Sequence, residues 1–255
     1  MGTVSKALGL LDIMAQIHAP KGLTGIAAAA GFDKATTRRL LLELTSNGFV
    51  VQHSDSRDYE LGPALQVLGK VREERFPLYR TTQPFVRALA ERTGETVHAT
   101  EYSAGVLLSI CIEHSTKANR ISLELGQKLP LHATASGIAF LAASSPAFIE
   151  SVARKPMPHF TATTSTSRHA LLGIVRDAVA RRYSISNQSL EEGVSSVAAA
   201  ICNLAGKPIG TIAIAVPTLR MTPAVIAEYG VLVRDAADEI SQHLAGRKPA
   251  LRKAS

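Results

Sequence analysis

Residues 24–61 read TGIAAAAGFDKATTRRLLLELTSNGFVVQHSDSRDYEL, and the fold of the N-terminal part of the chain follows from this stretch. Thr24 is placed to cap a short helix, Gly25 to Ala30, that stops at Gly31. Asp33 is placed to cap the next helix, which reaches about Asn47 and meets Gly48. Phe49–His53 has strand character, turns through Ser54–Asp58 and returns as Tyr59–Leu61. Upstream, Leu8, Leu11, Met14 and Ile17 recur every third residue across 5–18, with Ser5 as the expected cap and Pro20 and Gly22 as the stop. Three helices, the last two joined by a glycine turn, followed by a β-hairpin make a winged helix-turn-helix.

Wound at about 100° per residue, the third helix puts Thr37, Leu40, Leu41 and Leu44 on one side. Ala35, Arg38, Arg39 and Leu42 fall opposite, with Lys34 and Thr36 on the flanks. An apolar inner side and a small, cationic outer first turn suit a helix entering the major groove of DNA. Arginine reaches a guanine edge with two hydrogen bonds, and Lys, Thr and backbone N–H groups hold phosphates. Lys34, Ala35, Thr36, Arg38 and Arg39 are therefore the expected DNA-binding residues. Arg57, at the tip of the hairpin, is expected to touch a phosphate or the minor groove; an ordinary turn arginine is the alternative.

Gly62-Pro63 breaks the hairpin, and 64–75 has a helical pattern with Leu65, Leu68 and Val71 on one side, ending before Pro77. The expected organisation is a winged helix-turn-helix over 1–62, a linker helix over 63–76, a second domain over 77–246 and a basic disordered tail over 247–255. In the second domain, strands are expected at 96–102, 105–113, 120–125, 183–186, 194–202 and 208–216. Helices are expected at 84–93, 136–144, 147–154, 168–182 and 223–244. A mostly antiparallel sheet covered by helices gives an α+β domain. The run TATTSTS at 161–167 reads as a surface loop.

Of the 255 residues, 46% are hydrophobic and 19% charged, enough apolar material for real cores and too much for a disordered chain. The net charge of +7 is spread unevenly: 1–80 has 10 basic and 8 acidic residues, 81–246 has 14 and 13, and 247–255 has 4 basic and none acidic. Bulk charge alone thus does not identify a nucleic-acid partner. No apolar run is long enough to span a bilayer, and the N-terminus has no cleavage signature, so a cytoplasmic protein without a membrane partner is expected. The N-terminal MGTVSK fits a loose acylation pattern and fits a helix start better. Cys111 and Cys202 lie in apolar, strand-like runs and read as buried free thiols. No CxxC, GxGxxG, Walker A, HExxH or GxSxG pattern occurs. No metal, cofactor or catalytic residue is expected.

The segments LTGIAAAAGFDKATTRRLLLELTSNGFVVQ and YELGPALQVLG resemble the N-terminal domain of IclR-type transcriptional regulators. The likeness continues through ERTGETVHATEY, LGQKLPLHATASGIAFLA, LEEGVSSVAAAI and GTIAIAVP, in order and with similar spacings. It implies a winged-helix DNA-binding domain, a linker helix and a GAF-like effector domain. It further implies homodimers or tetramers that bind an operator in double-stranded DNA and respond to a small organic acid. On the matching positions, Ala135, Ser136 and Gly137 at a loop-to-helix turn, Ser186, Val194 and Ser196 on strands, and Ala213 and Ala215 on the last strand form the expected effector site. Small residues let a ligand approach the backbone, and a helix N-terminus favours a carboxylate.

Three departures from the family stand out. Ile138 follows the glycine where many members have lysine, Ser186–Ser189 stands where many members have acidic residues, with acids only at Glu191 and Glu192, and Ala213 and Ala215 replace small hydroxyl residues. They imply an effector with an apolar or aromatic body and one anionic end. His98 and His132 read chiefly as core or pocket histidines, with an effector donor or a metal ligand as alternatives. Two rival readings stay open at this point: an enzyme with a DNA-binding appendage, and a sensor acting through protein partners.

Overall fold

In the computed structural model, which describes residues 2–17 and 19–246, the chain divides into two units, one ending at Phe76 and one beginning at Pro77. The basic tail expected at 247–255 lies outside the described residues. Among those described, no helix is long and apolar enough to cross a membrane.

The first unit contains α1 (Thr3–Gln16), α2 (Leu23–Ala30), α3 (Lys34–Ser46), β1 (Val50–Gln52), β2 (Tyr59–Leu61) and α4 (Ala64–Arg75). Leu10, Met14, Ile26, Leu40, Leu41, Val50 and Tyr59 form its core. Gly31 turns α2 into α3 in the left-handed region (φ 65°), which a side chain would strain. β1 and β2 pair antiparallel with Val50 opposite Leu61, and Lys21 bridges to Tyr59 on the other side. Two expected caps are corrected. α1 starts before Ser5, because Lys6 N–H already donates to Gly2 O at 3.0 Å. α2 starts at Leu23 rather than after Thr24, because Ile26 N–H donates to Gly22 O at 3.1 Å and Leu23 packs on the core.

The second unit runs α5 (Leu78–Thr93), β3 (Thr96–Ser103), β4 (Val106–Glu113), β5 (Lys128–Leu129), α6 (Ala135–Ala142) and α7 (Pro146–Ala153). It continues with α8 (Arg168–Arg181), β6 (Ser184–Asn187), β7 (Val194–Cys202), β8 (Pro208–Pro217) and α9 (Pro223–Leu244). Six antiparallel strands lie in the order β5-β4-β3-β8-β7-β6. Alternate residues face opposite ways. Val97, Ala99, Val197, Ile201, Ile212 and Ile214 meet α5 and α9 in one apolar core. The other face carries Thr96, His98, Thr100, Ser196, Thr211, Ala213 and Ala215, and α6 lies over it.

Two expectations for this unit are overturned. The helix expected at 84–93 begins at Leu78 and runs through Pro84. Leu78 and Thr82 are buried on the same stripe as Val86 and Leu89, and this burial outweighs the single N–H that proline removes. The strand expected at 120–125 does not form; only Lys128 and Leu129 pair with β4. Its backbone is tied by side chains instead, with the Thr96 hydroxyl donating to Ile121 O at 2.7 Å.

Candidate functional site

Asp33 holds the start of α3: Oδ1 accepts from the Thr36 N–H at 2.8 Å and Oδ2 from the Thr36 hydroxyl at 2.7 Å. These bonds keep its carboxyl below the usual range, so the cap stays ionised. With Thr37, Leu40 and Leu41 buried, Lys34, Ala35, Arg38 and Arg39 are exposed and Thr36 is half-buried. Neither Arg38 nor Arg39 is ion-paired among the described residues. Arg57 is exposed in the turn between β1 and β2 with a left-handed backbone (φ 62°). Its carbonyl accepts from the Gln52 side chain at 3.0 Å, which fixes the turn and leaves the guanidinium outside.

In the second unit, the sheet face under α6 borders a cavity of about 60 Å³. His98 of β3, Ala215 of β8, Val194 and Ser196 of β7 and Ser186 of β6 line it, together with Ala135 and Ser136 at the start of α6. Gly137 and Ala213 do not. A Cβ on Gly137 would stand 2.4 Å from Leu131 O, so this glycine serves backbone packing. Ala213 sits opposite His98 and Ala198 and is covered by Ala135 and Ala139, inside an alanine cluster.

Thr134 caps α6, its hydroxyl accepting from Gly137 N–H and donating to Pro130 O, both at 2.9 Å. Ile138 N–H is taken by Thr134 O, so the first-turn N–H groups of Ala135 and Ser136 are those left for a ligand. His98 is 4% exposed, and burial pushes its imidazole down to about 4, so it is neutral near pH 7. Its Nε2 lies 3.4 Å from Ser136 Oγ, and its Nδ1 is buried without a partner. A hydrolytic Ser–His pair needs an acid on that second nitrogen, and none is there.

His132 has a structural tie, with Nε2 2.8 Å from Pro158 O. Among the described residues no group of three or more His, Cys, Asp or Glu could hold a metal ion. Cys111 and Cys202 are free; Cys111 is buried as expected, whereas Cys202 is only half-buried, and desolvation raises both thiols, Cys111 to about 11. A wider hollow of about 220 Å³, lined by alanines, Cys202 and the Arg182–Asp238 ion pair, opens beside α8 and α9. It holds no buried polar atom lacking a partner.

Sequence reasoning read His98 as a core or pocket histidine without placing it among the effector residues, and it missed Ile121, Leu123, Leu190 and Glu191 as cavity residues. Alternation along 96–100 puts His98 on the face of Thr96 and Thr100, but which face α6 covers follows only from the register His98 opposite Ala213.

Residues 3–54 match the model of the IclR helix-turn-helix domain, and residues 73–242 match that of the bacterial transcriptional regulator IclR C-terminal domain. The transcriptional repressor IclR of Escherichia coli is 29% identical over 96% of this chain and 91% of its own. A solved chain from Silicibacter sp. TM1040, classed with the IclR transcriptional regulators, is 32% identical with a TM-score of 0.76, each chain covered in full (100%). An IclR homologue of Microbacterium hydrocarbonoxydans, solved in complex with 4-hydroxybenzoate, shares the fold at TM-score 0.80 and 20% identity, covering 95% of this chain and 99% of its own.

Proposed function

The chain belongs to the IclR family of bacterial transcriptional regulators, and we propose that it grips a two-fold related operator through α3 and changes that grip when a small organic acid enters the cavity under α6. The observation that carries the DNA half is the exposed, unpaired cationic face of the first two turns of α3, standing on a buried leucine face. Arg38 and Arg39 reach base edges or phosphates, Lys34, Ala35 and Thr36 border the groove, and Arg57 touches the backbone beside it. The protein acts as a cytoplasmic homodimer or tetramer. This is supported by α4, which buries none of its side chains and exposes Val67, Leu68 and Val71, a face that suits a second copy.

The effector half rests on a cavity at a helix N-terminus, lined by both polar and apolar side chains, with the Glu191 carboxylate on the side of residues 187–192, away from α6. An acid places its carboxylate on the N–H groups of Ala135 and Ser136 and the Ser136 hydroxyl. Ser186 and Ser196 meet its polar substituents, and Val194 and Ala215 its apolar body. At about 60 Å³ the cavity is well below the roughly 150 Å³ that takes a benzene ring. A small aliphatic acid therefore enters it as it stands. An aromatic acid such as the 4-hydroxybenzoate of the Microbacterium homologue enters only if a wall moves outward.

Selection of source-genome fragments on the full chain, at about physiological salt, tests the reading. A few enriched fragments sharing a two-fold site are expected. Arg38→Ala and Arg39→Ala should each weaken that site about tenfold or more, and a cognate acid should shift the binding curve. Unchanged operator binding by the double alanine variant would instead support a sensor working through protein partners. Conversion of the acid to product would support an enzyme.

A further inference from the structure

One outer wall of the cavity is a strap over residues 187–192, which contributes Leu190 and Glu191 beside the wall that 121–129 supplies, and the strap is held from outside by the threonine-rich loop that reads as low complexity in the sequence. The Thr163 hydroxyl donates to Asn187 O at 2.9 Å, Thr161 to Gln188 O at 2.6 Å and Thr164 to Ser189 O at 2.6 Å. Three hydroxyls thus take three consecutive carbonyls, at and just after the end of β6. Thr161 and Thr164 are buried, and Thr163 is exposed. Gln188, in the left-handed region (φ 57°), accepts from Gly193 N–H at 2.8 Å and closes the strap on itself. The strap brings Leu190 and Glu191 to the cavity between Ser186 and Val194.

The other end of the same loop is tied to the opposite wall. His132 Nε2 bonds Pro158 O at 2.8 Å and its ring lies 5.8 Å from that of Phe160, just ahead of the cavity-lining residues of α6. Thr164 Oγ1 accepts from the N–H groups of Phe160 and Thr161, which makes the loop a rigid link between the two ends. Residues 158–164 therefore set the distance between the α6 wall and the strap wall.

We propose that Thr161 and Thr163 are specificity-determining residues that hold the strap inward and so restrict the cavity to small acids. This rests on the reading of the cavity as an acid-binding site. With both donors removed, the Thr164 bond to Ser189 O is what still ties the loop to the strap; the strap keeps its own closure through Gln188, its Asn187–Gln188 end moves outward, and larger acids gain relative to small ones.

The test is calorimetric titration of the full chain with pyruvate and with 4-hydroxybenzoate, for wild type, T161V/T163V and T161S/T163S. The valine pair keeps shape and loses the hydroxyls; the serine pair keeps the hydroxyls. The ratio of the two dissociation constants should shift about tenfold toward 4-hydroxybenzoate in the valine pair, the net worth of one or two such bonds. It should stay at the wild-type value in the serine pair. A common factor on both acids, or a serine pair behaving like the valine pair, overturns the proposal while leaving the acid site standing. Failure of both acids to bind wild type overturns the reading beneath it as well. If the valine pair does not fold, T163V alone, at an exposed position, must show a smaller shift of the same sign; no shift overturns the proposal.

Discussion

Gly137→Ala separates two roles that a glycine can have at the start of α6. If the residue is small so that a ligand can approach, an added methyl blocks the ligand and spares the fold. The structure assigns it the other role. The new Cβ would stand 2.4 Å from Leu131 O and 2.5 Å from Leu131 C and Cα, where ordinary contacts are 3.4–4 Å. Backbone must retreat by about 1 Å, and Leu131 is itself buried in the helical core, so the shift spreads through packed neighbours. Overpacking a core by a carbon costs about 1–3 kcal/mol, and an obstacle made of backbone belongs at the upper end. Helix propensity returns roughly 0.5–1 kcal/mol of this. The net expectation is a loss of about 2 kcal/mol, a sizeable part of the roughly 5–15 kcal/mol that keeps a domain folded. Gly173, inside α8, is the matched control, since nothing lies within 4 Å of its Cβ position. Gly173→Ala should therefore stabilise by about 0.5–1 kcal/mol. Urea unfolding of the full chain, followed by circular dichroism, reads both variants. A midpoint for G137A at or above wild type, or equal shifts of one sign in both variants, would refute the packing argument.

Burial holds the His98 imidazole at about 4 against 6.5 when free, so the unfolded chain takes up a proton there that the folded chain refuses. Stability is untouched above about pH 6.5 and falls as pH drops toward 4, by about 3 kcal/mol over the whole window. H98Q should flatten the slope between pH 6.5 and 4, and an unchanged slope in unfolding midpoints speaks against the assignment. Thr100 and Thr211, both fully buried, share one hydroxyl–hydroxyl bond of 2.6 Å. T100V and T211V should each lose about 1–3 kcal/mol by orphaning the partner, and the double variant should return close to wild type; additive losses in thermal unfolding contradict this. Burial pushes the Glu95 carboxyl up, but bonds from Arg220 (2.6 and 2.9 Å) and Lys117 (2.7 Å) outweigh it and leave the group below 4.5. That stabilisation is present above about pH 4.5 and lost as pH falls through the lowered value. E95Q should thus be weaker than wild type by about 1–2 kcal/mol at pH 7, because the Arg220 and Lys117 charges it leaves behind reach solvent, with the gap closing in acid; a gap independent of pH would be the contrary result.

The first unit was legible because its signals are local. Asp33 caps the helix that begins one residue later, Gly31 needs only its own φ, and the exposed face of α3 follows from the helical period. The second unit was legible in its strands and less so in its cavity. Ala213 and Ala215 do share a face, but pairing decides which of them reaches the space: Ala213 lies opposite His98 under α6, and Ala215 lies opposite Thr96 and Ser196, beside the cavity. Ile121 and Leu123 have strand composition and yet line the cavity from an irregular segment, because a wall residue and a strand residue are apolar for the same reason. Thr161 and Thr164 read as solvated, whereas their hydroxyls satisfy carbonyls 25–27 residues away, a separation that no local pattern records.

The two faces of the sheet explain why a cavity exists here at all. On the α5 and α9 side, branched residues such as Val97, Ile201, Ile212 and Ile214 fill the space to the helices. On the α6 side the same strands carry His98, Ser196, Ala213 and Ala215, which are too small or too polar to fill an equal gap. Ala135, Ala139, Ala198 and Ala213 close part of it by bringing α6 nearly onto the sheet. What stays open lies where the strap, not the helix, forms the lid. A ligand there supplies missing core and binds only the folded state. An acid at a hundred times its dissociation constant should therefore stabilise the second unit by about 2.7 kcal/mol. Thermal unfolding with and without the acid measures this. No rise in the unfolding temperature at that concentration would refute an acid site in the second unit.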